Sequence, residues 1–392
     1  MKIRVGTCAV NPWRFLLSSL IVLVCDSAFA ALSVSDLKVT TVEPIGLAID
    51  YEVSGATEDD VKSRLCVTMD EDSNTVYTAR SLVGETNCVD GAHRVYWNTA
   101  RDGISVARTN VNVTVLYFVR YCVIDLSKGA SASSYPVTYL DVPPNGGFNT
   151  NEYKTTKMVL RRVDAGTFTM GDSQWSNNKP HKVTLTKSFY MGIFEVTQKQ
   201  WELVMGTNVC AKTTYGKGDA YPVHFVSYND IRGSFEGAKW PATSSVDATS
   251  FMGKLRAKTG IAFDLPTEAQ WECACRAGTT TSYSYASASA NNYVWYVSNS
   301  NSKSHVVGTK KANSWGFYDM HGNLYEWCLD WQDGTALSEG TDPVGVSSGT
   351  GRELRGGSWN NAIASCTSSG RYSGDPSLSN ACRGFRVCWI IP

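Results

Sequence analysis

From residue 31 to about 140, apolar and polar positions alternate in short runs. Residues 34–42, 47–53, 64–68, 94–97, 111–122 and 135–140 are rich in Val, Thr, Tyr and Ile, and polar or glycine-containing turns separate them. Alternation of period two marks strands with one buried face, and β-branched and aromatic side chains suit such a pleated surface. Six or seven short strands in this stretch predict a β-sandwich of immunoglobulin or fibronectin type over residues 31–140. Cys66 and Cys122 each lie in a predicted strand, which makes a bridge between them plausible and leaves Cys88 unassigned. The best reading of this part is a spacer or adhesion module.

The pattern breaks at residues 141–147, DVPPNGG, whose paired prolines and glycines stop both sheet and helix. Residues 141–156 are therefore read as a linker and 157–392 as a second domain. Loops dominate there, with a few amphipathic helices. Thr197 can cap a helix running past Trp201, Ser227 one starting at Tyr228, and a third covers residues 250–258. The clearest follows Pro266: Thr267 can cap it, Gln270 three residues on can close a capping box, and Trp271 and Cys275 share one face at i, i+4. Gly278 suits the helix end, and from there the chain is mostly Ser, Thr, Tyr, Asn and Gly.

Charge narrows the function classes. Lys plus Arg equals Asp plus Glu at 36 each, so the chain lacks the clustered positive charge that nucleic acid requires. Lys2, Arg4 and Arg14, an apolar run at residues 15–24, and Ala28 and Ala30 at cleavage-site spacing read as a secretory signal over residues 1–30. A lipoprotein leader would use Cys25, but Val24 is a poor residue before a lipidated cysteine. The expected location is secreted, periplasmic or at the cell surface, with no transmembrane anchor. Ten cysteines follow residue 30; in an exported chain the default is disulfides. Five scattered histidines and no Cys-x-x-Cys spacing argue against zinc.

Five segments of the second domain fall in an order that resembles one family. They are VDAGTFTMG at 163–171, FYMG at 189–192 with EVTQ at 195–198, LPTEAQWE at 265–272 with RAGT at 276–279, GFYDMHGNLYEW at 316–327, and RGGSW at 355–359 with GFRV at 384–387. Together they resemble the formylglycine-generating enzyme, or sulfatase-modifying factor, family, whose fold is similar to a C-type lectin. With the N-terminal β-sandwich read from the strand pattern, the resemblance makes the chain α+β overall, the sandwich followed by a loop-rich, C-type-lectin-like domain. It also implies a structural calcium ion held by Asp319, Gly322, Leu324 and Glu326. Two carboxylates and two carbonyls are the hard oxygen ligands calcium prefers. Trp271, Trp327 and Trp359 are expected as core anchors.

Family enzymes hold copper between two thiolates with four residues between them, just after the Gly-Gly-Ser segment, because soft sulfur ligands select Cu(I). Here the forward count from Ser358 gives Asn361 and Cys366, and the backward count from Arg371 gives Ser358 and Ile363. Neither is a cysteine pair, so copper is not expected, and Cys366 is the one catalytic candidate if the chain is an enzyme. The resemblance instead implies a structural Cys275–Cys366 disulfide. His181 and His224 are read as plain structural histidines.

Two functions remain. The first is an exported recognition module that binds a protein or glycan at a C-terminal loop surface including Trp359, Asn360, Asn361, Arg371 and Tyr372. Residues of these types give adaptable hydrogen bonds and contact area at low entropic cost. The second is a formylglycine-generating oxidase, or a diverged relative, acting on a sulfatase polypeptide.

Overall fold

A computed structural model of the chain describes residues 120–391 except 141, 175–177, 211–212, 235–244, 333, 335–336 and 338. Before residue 120 it describes eight strands: β1 (Val5–Ala9), β2 (Ser33–Val42), β3 (Gly46–Ser54), β4 (Arg64–Asp72), β5 (Thr75–Thr78), β6 (Leu82–Gly84), β7 (Gly91–Trp97) and β8 (Asn112–Phe118). The chain divides into two compact units. One holds residues 1–121 and 138–142 with residue 392, the other 122–137 and 143–391.

The first unit contains two four-stranded sheets, ordered β1-β8-β4-β5 and β2-β3-β7-β6, with antiparallel pairing throughout. The alternation in the sequence is legible in β3 and β7. Ile49, Tyr51 and Val53 are buried opposite Val95, His93 and Gly91, while Glu52, Ala92 and Arg94 are exposed. Tyr51 stacks on His93 at 5.3 Å, and on the other face Arg94 Nη2 donates to Asp50 at 2.8 Å. β1 lies inside the segment read as a leader; the apolar run 15–24 and the side chain of Cys66 lie outside the described residues.

The second unit begins earlier than the sequence suggested. β9 (Tyr121–Asp125) belongs largely to it, and β10 (Val137–Leu140) is divided between the units. Cys122 is buried here, in the sheet ordered β9-β11-β14-β20. The linker expected at 141–156 is also shorter. α1 (Asn151–Thr155) is part of the second fold, with Thr197 donating to the Lys154 carbonyl at 2.7 Å. Prolines and glycines do end the strand at residue 140, but the chain re-enters the fold within a few residues.

The remaining strands are β11 (Lys157–Val163), β12 (Gly166–Met170), β13 (His181–Leu185), β14 (Phe189–Gly192), β15 (Tyr325–Gln332), β16 (Gly340–Thr341), β17 (Gly351–Arg355), β18 (Arg371–Gly374), β19 (Arg383–Gly384) and β20 (Cys388–Ile390). Two further sheets run β12-β13-β16 and β18-β17-β15-β19. The helices are α2 (Gln198–Met205), α3 (Tyr228–Arg232), α4 (Phe251–Thr259), α5 (Glu268–Arg276) and α6 (Ala290–Tyr293). Thr197, Ser227 and Thr267 close full capping boxes at α2, α3 and α5, and Ser250 caps α4. α5 is buried along its whole length and ends where Ala277 takes a left-handed conformation, φ 47°.

Candidate functional site

The segment 316–327 is a loop that feeds β15. It turns through four left-handed residues, Gly316 (φ 82°), Asp319 (φ 55°), Gly322 (φ 82°) and Asn323 (φ 59°). At Gly322 a side chain has no room: a Cβ would lie 2.2 Å from the Trp295 carbonyl oxygen. Glu195, from the segment after β14, holds the turn from inside. One of its oxygens accepts from Leu324 N at 3.0 Å and the other from Asn323 Nδ2 at 2.6 Å. Asp319 Oδ2 accepts from Gly308 N at 2.7 Å, while its buried Oδ1 has no hydrogen-bond partner.

Glu326 is fully committed. Arg386 grips it through Nε and Nη2, both at 2.6 Å, and Trp271 Nε1 donates at 2.8 Å. Arg386 also donates to the carbonyls of Gly192 and Tyr318, so one buried guanidinium joins β14, the loop and β15. Three buried carboxylates thus crowd one arginine. Burial, only partly offset by the Gly308 amide and by Arg386 and Lys154, raises the Asp319 pKa to about 6. Burial and the neighbouring Asp319 and Glu326 push Glu195 well above its ordinary range. Lys154 faces Asp319 but is desolvated, which lowers its own pKa.

A second buried network surrounds α5. Glu272 pairs with Arg276 and Arg355, and Glu268 takes Arg371 at 2.5 and 2.9 Å. Arg371 also lies 3.1 Å from Glu353. These side chains fix the base from which residues 359–383 leave the fold.

The residues expected on the loop surface divide. Asn360 and Tyr372 are exposed, Tyr372 at 50%, stacked on Tyr325 at 5.2 Å. Asn361 is half-buried and hydrogen-bonds the Ser358 hydroxyl at 2.5 Å. Trp359 and Arg371 are corrections: Trp359 is buried with Nε1 donating to the Ala381 carbonyl at 3.0 Å, and Arg371 is spent on Glu268. Exposed Leu378, at 59%, was missed, because an isolated leucine in a polar loop carries no periodic signal.

The Cys275–Cys366 bridge is also corrected. Both are buried free thiols. Cys275 Sγ lies 3.6 Å from His321 Nε2 and contacts the Ser368 side chain, and Cys366 Sγ faces the Ala362 carbonyl at 3.7 Å. Ser368, two residues beyond Cys366, is the side chain from this loop that contacts Cys275. Burial pushes both thiols up to about 12, so each is a neutral thiol at physiological pH, and burial pushes His321 down to about 4, leaving it neutral too.

The order of these segments and their shared frame match a model of the sulfatase-modifying factor enzyme 1-like domain over residues 145–391. The chain belongs to this family. Among its relatives is the chaperone protein LppX of Paenibacillus barcinonensis, 29% identical over 55% of this chain and 83% of that protein. The formylglycine-generating enzyme of Bos taurus is 24% identical over 52% of this chain and 66% of the enzyme. A serine/threonine-protein kinase pkn1 of Chlamydia caviae is 28% identical, and the match spans 37% of that protein's length. Among solved structures, Treponema denticola variable protein 1 is 29% identical, with a TM-score of 0.50 over 60% of this chain and 95% of that one.

For a sulfatase-modifying-factor domain, the calcium set can be tested against this geometry. The partnerless buried Oδ1 of Asp319 and the excess of buried negative charge suit a hard cation. Glu326 is used differently, as the partner of Arg386. Among the described residues no group of three or more His, Cys, Asp or Glu side chains could hold a metal, so an ion here would depend on the Gly322 and Leu324 carbonyls.

Proposed function

We propose that this chain is an exported recognition protein whose family domain binds a protein or glycan through the loop surface 359–383, with the first unit, an immunoglobulin-like sandwich, as a spacer. The observation that carries the reading is the contrast between frame and face. Trp359 and the Glu268–Arg355 network are buried, and half-buried Arg371 is held by Glu268, while Asn360, Tyr372, Ser373, Leu378 and Asn380 are exposed. A rigid base with small, polar and aromatic side chains on its surface is how binding loops gain adaptability without losing order. Similarity to a protein named as variable supports this reading.

The test uses a glycan array and a displayed-protein library probed with the full chain. Binders should be lost with Tyr372→Ala and Leu378→Ala while melting behaviour is unchanged, since neither side chain is core. Binding that survives both substitutions overturns the surface.

The second reading, an oxidase converting a sulfatase cysteine to formylglycine, is favoured by the formylglycine-generating relatives, one of which, from Streptomyces coelicolor, is 31% identical over 141 residues. Aldehyde formation in a Cys-x-Pro-x-Arg peptide with copper, abolished by Cys366→Ser, would establish it.

Calcium at Asp319 with the Gly322 and Leu324 carbonyls is part of the proposal; it would neutralise buried charge and stiffen a loop that lacks sheet hydrogen bonds. A free-calcium level of about 100 times Kd would add about 2.7 kcal/mol to stability. Calorimetry against a chelator should show that gain in the native chain and not in Asp319→Asn. No shift in the native chain rules the ion out.

A further inference from the structure

The recognition loop leaves and re-enters the fold beside two cysteines that meet at one residue. The Ser358 backbone hydrogen-bonds the Cys366 thiol, and the Ser358 side chain hydrogen-bonds Cys382. Ser358 is fully buried and held by Asn361. The approach is close: a Cβ at the preceding residue, Gly357 (φ 74°), would lie 2.6 Å from Cys366 Sγ. Cys382 is anchored from the other side. Tyr325 N donates to its carbonyl at 2.8 Å, and it packs against the cluster of Leu324, Trp359 and Ala381. Cys366 is buried and Cys382 is only partly so.

We propose that Cys366 and Cys382 are a convertible thiol pair whose disulfide closes the loop 367–381 at its base. Cys382, the accessible member, attacks a disulfide donor as its thiolate, forming a mixed disulfide and releasing one thiol of the donor. Cys366 then gives up its proton and attacks Cys382 Sγ, releasing the second. Two protein thiols and one donor disulfide become one protein disulfide and two donor thiols, with the two protons carried by the leaving sulfurs. The donor class is an oxidised low-molecular-weight thiol or a disulfide oxidoreductase, as found where exported proteins fold. Cys366 ends the short helical turn 363–365 and Cys382 directly precedes β19, so each sulfur leaves the frame at the edge of an ordered element.

The consequence for binding rests on the recognition reading; the bond itself does not. Tyr372, Leu378 and Asn380 all lie between the two cysteines. A bridge across their base restricts the unfolded chain and pre-orders the face that meets the ligand.

Peptide mapping of the full folded chain after equilibration with oxidised glutathione tests the pair without any ligand. The expected product is a Cys366–Cys382 linked peptide with two fewer alkylatable thiols. Cys382→Ala should leave Cys366 alkylatable after unfolding, and the native-chain map stands even if that variant folds poorly. A link from Cys366 to Cys275, or both thiols intact under excess oxidant, overturns the proposal.

Discussion

Asp319 shows how much depends on a single side chain in this loop. Its carboxyl is buried, one oxygen is bound by the Gly308 amide, and the other has no partner. Burial raises its pKa from 3.8 to about 6. The folded state therefore holds the proton more tightly than the unfolded state. The stability this contributes is complete below about pH 4 and is lost as pH rises through about 6. A shift of that size corresponds to roughly 3 kcal/mol. In chelator, urea midpoints of the native chain should fall across that window. Asp319→Asn carries no titrating carboxyl, yet its amide oxygen can still accept from Gly308, so its profile should be flatter. An unchanged slope would mean that the other buried carboxyls with raised pKa values, Glu195, Asp330 and Glu353, set the pH response. Arg386 is the counterpart: removing it would strand the buried Glu326 charge, a loss that typically costs about 3–5 kcal/mol.

At the level of elements, the sequence was readable wherever a local rule decides. The capping boxes of α2, α3 and α5 follow from Thr or Ser placed three residues before Gln or Asp, and all three formed as the spacing implies. Gly322 stands at a tight left-handed turn, and the lack of room for a Cβ there explains the glycine. What long-range packing decides was not readable. Arg371 looks like a surface residue in a loop rich in Asn and Ser, yet it is paired across more than a hundred residues with Glu268; Trp359, expected both as a core anchor and on the loop surface, is a core anchor whose Nε1 donates to the Ala381 carbonyl. Glu326 was read as a metal ligand from its place in a motif; its engagement by Arg386, sixty residues on, has no local signature. The thiols repeat the lesson. The family resemblance pairs Cys366 with Cys275, but the fold gives Cys275 the Ser368 side chain and brings Cys366 to Ser358.

At the scale of the whole molecule the informative feature is where the second unit starts. A strand-like pattern running through residue 122 placed this segment with the first domain, yet residues 122–137 belong to the second unit. β9 buries Cys122, Val123 and Ile124, and Leu126 follows. Tyr135 ties the segment to the helices: its hydroxyl donates to the Leu203 carbonyl at 2.9 Å, its amide donates to the Lys258 carbonyl at 2.8 Å, and the Lys258 ammonium lies over its ring. The family match begins only at residue 145, so a chain cut there would look complete by family boundaries while lacking this strand. Each large buried apolar side chain contributes roughly 1.5–3 kcal/mol. Losing Val123, Ile124 and Leu126 removes about 4.5 kcal/mol even at the low end, against a typical total of about 5–15 kcal/mol. Residues 120–391 should therefore melt cooperatively, and residues 145–391 should melt far lower or fail to fold, as calorimetry of the two chains would show. Equal midpoints would return 122–137 to the first unit and restore the boundary read from the sequence.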